Sequence, residues 1–117
     1  MNGSEKILAI DIGGSHIKGT VVDAQGILLK EYEKVDTPKP ATPDAVLAAI
    51  KQLVSTFPEY DLISVGFPGY VREGKVITAP NLGTAEWANV DLAKQLSDAY
   101  GKPARVINDA DMQGLGI

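Results

Sequence analysis

No cysteine occurs in the 117 residues, which excludes disulfides and thiolate zinc sites alike. Histidine occurs once, as His16; it is too isolated for a triad or a metal site and reads as a hairpin side chain. No apolar run approaches the ~18 residues of a membrane span, and no signal-peptide pattern precedes the first strand, so the expected compartment is the cytoplasm. An excess of positive charge is missing too. Lys and Arg total 11 against 15 Asp and Glu, for a net charge of −4. That balance argues against a nonspecific nucleic-acid binder, but it leaves room for an anionic ligand held locally by backbone amides and a lysine or two. Internal repeats and low-complexity tracts are also absent.

What is present is the composition of a globular chain, 44% hydrophobic and 22% charged, able to bury a core as one domain or as a piece of a larger one. The chain reads best around Leu8–Thr20, LAIDIGGSHIKGT. The apolar run Ile7–Ile10 leads to Asp11, and a β-rich segment containing Ile17, Thr20, Val21 and Val22 runs on to Asp23. Short apolar runs bounded by glycine suit strands. Gly13 and Gly14 are expected to allow a tight reversal with positive φ. An acidic residue at the entrance of such a hairpin, with Ser15 beside it, suits a phosphate and its Mg²⁺. A plain hairpin with a solvated Asp11 fits the same residues.

Downstream, Gly26 marks a turn and residues 27–35 predict a third strand. Thr37-Pro-Lys-Pro-Ala-Thr-Pro43 is a stiff connector. Thr42 caps and Pro43 opens a helix over 43–56, whose apolar face is Val46, Leu47, Ile50, Leu53, Val54 and Phe57. Leu62–Phe67 is a further strand, closing in Gly66-Phe-Pro-Gly69. Residues 70–71 and 75–78 flank Glu73-Gly74 as a hairpin, and 79–86 is expected to be loop. A second helix begins near Asn89 or Asp91 and stops at Gly101. Residues 105–107 predict a last strand, with a helix starting at Asp109. Three hairpin-joined strands followed by βα alternation indicate an α/β domain with a mixed sheet.

Ligands in open α/β sheets gather at the carboxyl ends of strands, where four loops fall: Asp11–Ser15, Gly66–Gly69, Asn81–Gly83 and Asn108–Asp111. A carboxylate at Asp109, at the mouth of a helix, is placed to accept a proton from a substrate hydroxyl. Each loop also has a plainer explanation. Asn108-Asp109 suffices as a helix cap, Gly66–Gly69 as a rigid turn and Asn81 as a turn residue. Trp87 suits a core anchor, Asp111 a solvated first-turn residue, and Lys18 either a phosphate contact or a solvated strand lysine.

The motifs IDIGGSHIKG, VGFPG, TAPNLG followed by Trp87, and VINDADMQG, in this order, together resemble the ROK (repressor, open reading frame, kinase) sugar-kinase family. Within it the likeness is greatest to the polyphosphate glucokinases, which share a TPxPATP connector like Thr37–Pro43. The resemblance implies an actin-like ATPase (ribonuclease H-like) fold, with residues 1–117 as the N-terminal lobe of a hexokinase-type kinase and the C-terminal lobe absent. It implies Mg²⁺ and a donor, polyphosphate or ATP, at Asp11, Gly13, Gly14, Ser15 and Lys18, with Asp11 reaching the metal through water. It implies glucose at Gly66, Pro68, Gly69, Asn81, Asn108 and Asp109, with Asp109 as the catalytic base. The family's second phosphate loop, its nucleotide pocket and its later Glu and His sugar ligands would lie beyond Ile117. The zinc-binding Cys/His motif of many ROK kinases is missing, as it generally is in polyphosphate glucokinases. A homodimeric parent, a self-associating fragment and no membrane partner are expected. An isolated sugar-binding lobe and a fragment of a ROK transcriptional regulator remain the alternatives; the strand beginning by Lys6 leaves no room for a preceding helix-turn-helix domain.

Overall fold

The computed structural model describes residues 5–79, 82 and 84–108, without the side chain of Thr84. Strands β1 (Lys6–Ile12), β2 (His16–Asp23) and β3 (Leu28–Asp36) come first, followed by helix α1 (Pro43–Val54) and strand β4 (Leu62–Phe67). A small ribbon, β5 (Val71–Arg72) and β6 (Lys75–Val76), precedes helices α2 (Thr84–Trp87) and α3 (Leu92–Tyr100) and strand β7 (Ala104–Asn108). Among the described residues five strands form one mixed sheet in the order β3-β2-β1-β4-β7. β1, β2 and β3 pair antiparallel, whereas β1, β4 and β7 pair parallel. This is the mixed α/β sheet expected from the element order.

Register divides the sheet into two faces. Ile10 lies opposite Gly19 and Val65, and Val65 opposite Val106, so these share a face with Leu8, Ile12, Ile17, Val21, Ile63 and Phe67. All of the apolar members join one core with Val46, Ile50, Leu53, Leu92 and Leu96 of the helices. Gly19 admits α1 to this face: a Cβ there would come within 3.1 Å of Leu53 and 3.2 Å of Phe57. The other face bears Ile7, Ala9 and Asp11 on β1 with Lys18, Thr20 and Val22 on β2. It ends in exposed apolar side chains on β3, Leu28 and Tyr32.

α1 starts where expected. The Thr42 side chain accepts from the Ala45 amide, Pro43 occupies the first turn, and the helix ends at Val54, two residues before the expected 56. α3 is capped by Asp91, whose carboxylate accepts from the Lys94 amide, and closes at Gly101 with φ 66°. Asn89 is not the cap. It takes φ 64° and donates its amide to Val76 O, which binds the ribbon to the start of α3. The segment 79–86 is not all loop, because α2 places Trp87 in the core. Its ring is fully buried, 5.0 Å from Phe67 between centroids, and its Nε1 donates to Ala41 O at 2.8 Å. No helix among the described residues is long and apolar enough to cross a membrane. The helix expected at Asp109 lies outside the described residues.

Candidate active site

The parallel strands β1, β4 and β7 end together. Asp11 lies opposite Gly66, Gly66 opposite Ile107, and Phe67 opposite Asn108. The strand ends from which three of the four loops singled out in the sequence begin therefore lie side by side. The Asn108 side-chain amide donates to Gly69 O at 2.7 Å, tying the end of β7 to the Gly66–Gly69 turn. Gly66 is buried, and Pro68 and Gly69 are half-buried. The turn lies against residues 77 and 78, with the Ile77 amide donating to Tyr70 O and the Tyr70 amide to the Thr78 hydroxyl.

That close approach dictates the residue at 69. A Cβ on Gly69 would stand 2.0 Å from the backbone carbonyl oxygen of Thr78, a contact that only backbone movement relieves. Gly69→Ala is accordingly expected to destabilise by about 1–3 kcal/mol, the range for forced overpacking, and to lower the melting temperature. A variant melting with the parent would show that the turn yields at no cost.

The Gly13–Ser15 turn is built differently from expectation. Among the described residues the glycines with positive φ are Gly26, Gly74 and Gly101; Gly13 and Gly14 make the reversal without it. The connector shapes this turn instead. The Thr37 hydroxyl donates to Gly13 O at 2.6 Å, Lys39 Nζ to Gly14 O at 2.8 Å, and the Thr37 amide to Ser15 O at 2.9 Å. In a planar trans peptide the carbonyl and the following N–H point in opposite directions. Drawing these carbonyls toward the connector therefore turns the amides of Gly14 and Ser15, the two residues at the tip of the turn, away from it, as a turn that binds an anion requires; the His16 amide faces β1, where Gly13 donates to His16 O. Gly13 also needs its missing side chain, since a Cβ would meet His16 O at 3.0 Å. Thr37 and Lys39 were not among the expected site residues. The TPKP pattern is their signal, but by itself it implies only stiffness.

Asp11 is half-buried at the end of β1, and Lys18 stands exposed directly across from it on β2. His16 sits 3.5 Å from the Asp36 carboxylate. Asn81, Asp109 and Asp111 lie outside the described residues. The perturbed phenols are remote from these loops. Burial raises the pKa of Tyr100, with Tyr60 adding to it, and burial also raises that of Tyr60; both flank the amino ends of β4 and β7.

The order and spacing of these loops match a family model. Residues 7–116 fit that of the ROK family. The chain belongs to the ROK family. It is 39% identical over 108 residues to a polyphosphate glucokinase of Mycobacterium leprae, covering 91% of this chain and 33% of that protein. The crystal structure of inorganic polyphosphate/ATP-glucomannokinase from Arthrobacter sp. strain KM superposes with a TM-score of 0.85 at 41% identity, over 96% of this chain and 47% of that one. A ROK glucokinase from Streptomyces griseus, solved with glucose and AMPPNP, gives 0.73 at 31% identity, over 90% and 33%. The ROK chain described here thus has the actin-like ATPase fold of the ROK sugar kinases. It spans between a third and a half of the length of these relatives.

Proposed function

We propose that these residues form the N-terminal lobe of a glucokinase that transfers a phosphoryl group from polyphosphate, ATP or both to the 6-hydroxyl of glucose. The observation that carries the reading is the Asn108–Gly69 hydrogen bond. It joins two loops of the sugar-binding motifs beside a turn whose amides face away from their own support. Asn108, Gly66, Pro68, Gly69 and Asn81 position the sugar. Asp109, next in sequence to Asn108, takes the proton of the attacking hydroxyl. The amides of Gly14 and Ser15 meet the donor phosphate, with Lys18 adding charge. Positioning and charge neutralisation account for most of the catalysis of phosphoryl transfer.

The residues present fit Mg²⁺. No group of three His, Asp or Glu gathers among the described residues, but this ion is ordinarily held by one or two carboxylates together with substrate phosphates and water. Asp11, beside the phosphate turn, would hold it through water. When bound, the ion neutralises charge on the phosphates.

The test is formation of glucose 6-phosphate by the full-length protein with glucose, Mg²⁺ and either donor. Turnover is expected with at least one of them, and none from residues 1–117 alone, because a transferring phosphoryl group needs stabilising groups on several sides. Absence of product with both donors would refute the reading. Turnover by the 117-residue chain that vanishes in Asp109→Ala would refute the incomplete-lobe part.

A further inference from the structure

The cross-strand register holds one row whose outer member, Lys34, neither stability nor the proposed chemistry explains. Asp11 pairs with Lys18, and Lys18 pairs with Lys34 on β3. Residues directly opposite share a face, so the two lysines project side by side from the face that carries Asp11. Both are exposed, and among the described residues neither enters an ion pair. The lysines that do are Lys30, with Glu33, and Lys94, with Asp98. Glu33, next to Lys34 in sequence, lies across from Gly19 and hence on the opposite, helix-bearing face. Asp36, two residues on, stands with His16. Like charges directly opposite on a sheet destabilise it. Asp11 stands across from Lys18 on one side, whereas Lys34, on the edge strand, has only Lys18 directly across from it among the described residues, and an anion from outside would offset that repulsion.

The position of the row identifies the anion. Lys18 lies two residues beyond His16, so it flanks the turn that presents the Gly14 and Ser15 amides. Lys34 lies one strand farther out, about 5 Å on by the usual strand spacing. The row thus leads away from the turn, across β2 and onto the edge strand. A nucleotide has its few phosphates at the turn and then continues as ribose and base, which offer a lysine no negative charge. A linear chain of phosphates offers a charge at every step. We propose that Lys34, with Lys18, forms an outer subsite for the phosphate units of inorganic polyphosphate that lie behind the transferring one. This rests on the reading of Gly13–Ser15 as the donor turn.

The test uses the full-length protein, glucose and three donors: long-chain polyphosphate, tripolyphosphate and ATP. Lys34→Gln is expected to raise the KM for the long chain about 3- to 10-fold, the usual effect of removing one charged contact to an anion. The reversed charge of Lys34→Glu is expected to raise it further. For both variants the KM for tripolyphosphate and ATP should move much less, and added salt should shrink the difference between long and short donors. Lys51→Gln, an exposed lysine on α1 and so on the other side of the sheet, serves as the control for net charge. Lys34→Gln should melt no lower than the parent, which separates a binding role from a structural one. An unchanged KM for the long chain, or an equal rise for all three donors, would overturn the subsite while leaving the kinase reading in place. Glucose phosphorylation from ATP with no use of polyphosphate by the unmodified protein would overturn the subsite and the polyphosphate donor together.

Discussion

Asp109→Asn in the full-length protein is expected to lower kcat for glucose phosphorylation by about 10²-fold or more, with KM for glucose changed far less. Asparagine keeps the size of the side chain and an oxygen to accept a hydrogen bond, but it does not take up a proton. The attacking hydroxyl would then stay protonated as the bond to phosphorus forms. The neighbouring geometry should survive, because Asn108 reaches Gly69 through its own amide and not through Asp109. A loss confined to kcat marks a group used in the transition state, whereas a parallel rise in KM marks a sugar ligand. Turnover near that of the parent would remove Asp109 from the role of base.

The largest effect on stability is expected at Trp87. Its side chain is fully buried, packs on Phe67 and donates to Ala41 O. It therefore joins the end of β4 to the connector that shapes the phosphate turn. Trp87→Ala should cost about 3–5 kcal/mol, the range for deleting a large buried aromatic. Trp87→Phe retains most of the packing and leaves the carbonyl without its donor, for about 1–3 kcal/mol. Urea unfolding of the three proteins checks the order. A Trp87→Ala loss below about 1 kcal/mol would mean that the core closes over the gap and that the residue is no anchor.

The elements with strong local signals were readable in the sequence. Thr42-Pro43 opens α1, Asp91 and Gly101 bound α3, and the apolar run 62–67 is β4, because caps and apolar runs act through residues close in sequence. Strand ends were less legible: β1 and β7 extend beyond their apolar runs, to Lys6–Ile12 and Ala104–Asn108, since polar residues at a strand end pair as well as apolar ones. The four-residue α2 has too little periodicity to show. The glycines of the phosphate turn misled on φ. Gly-Gly permits a left-handed reversal, but the hydrogen bonds from Thr37 and Lys39 determine which permitted conformation forms.

By itself the sequence determined the order of every described element except α2, the mixed α/β class, the set of loops at strand ends and, through the order of those motifs, the ROK resemblance. Each element and each motif follows from residues within a dozen positions of one another, and their order is simply that of the chain. Which loops meet was decided only by the tertiary structure. The Asn108–Gly69 bond spans 39 residues and the Thr37–Gly13 bond 24, and neither pairing is implied by local propensity. The juxtaposition of Lys18 with Lys34 likewise required a register. A shift of one residue would have sent Lys34 to the other face, and it is the burial of Ile17 and Val21 against the core that holds β2 where it is.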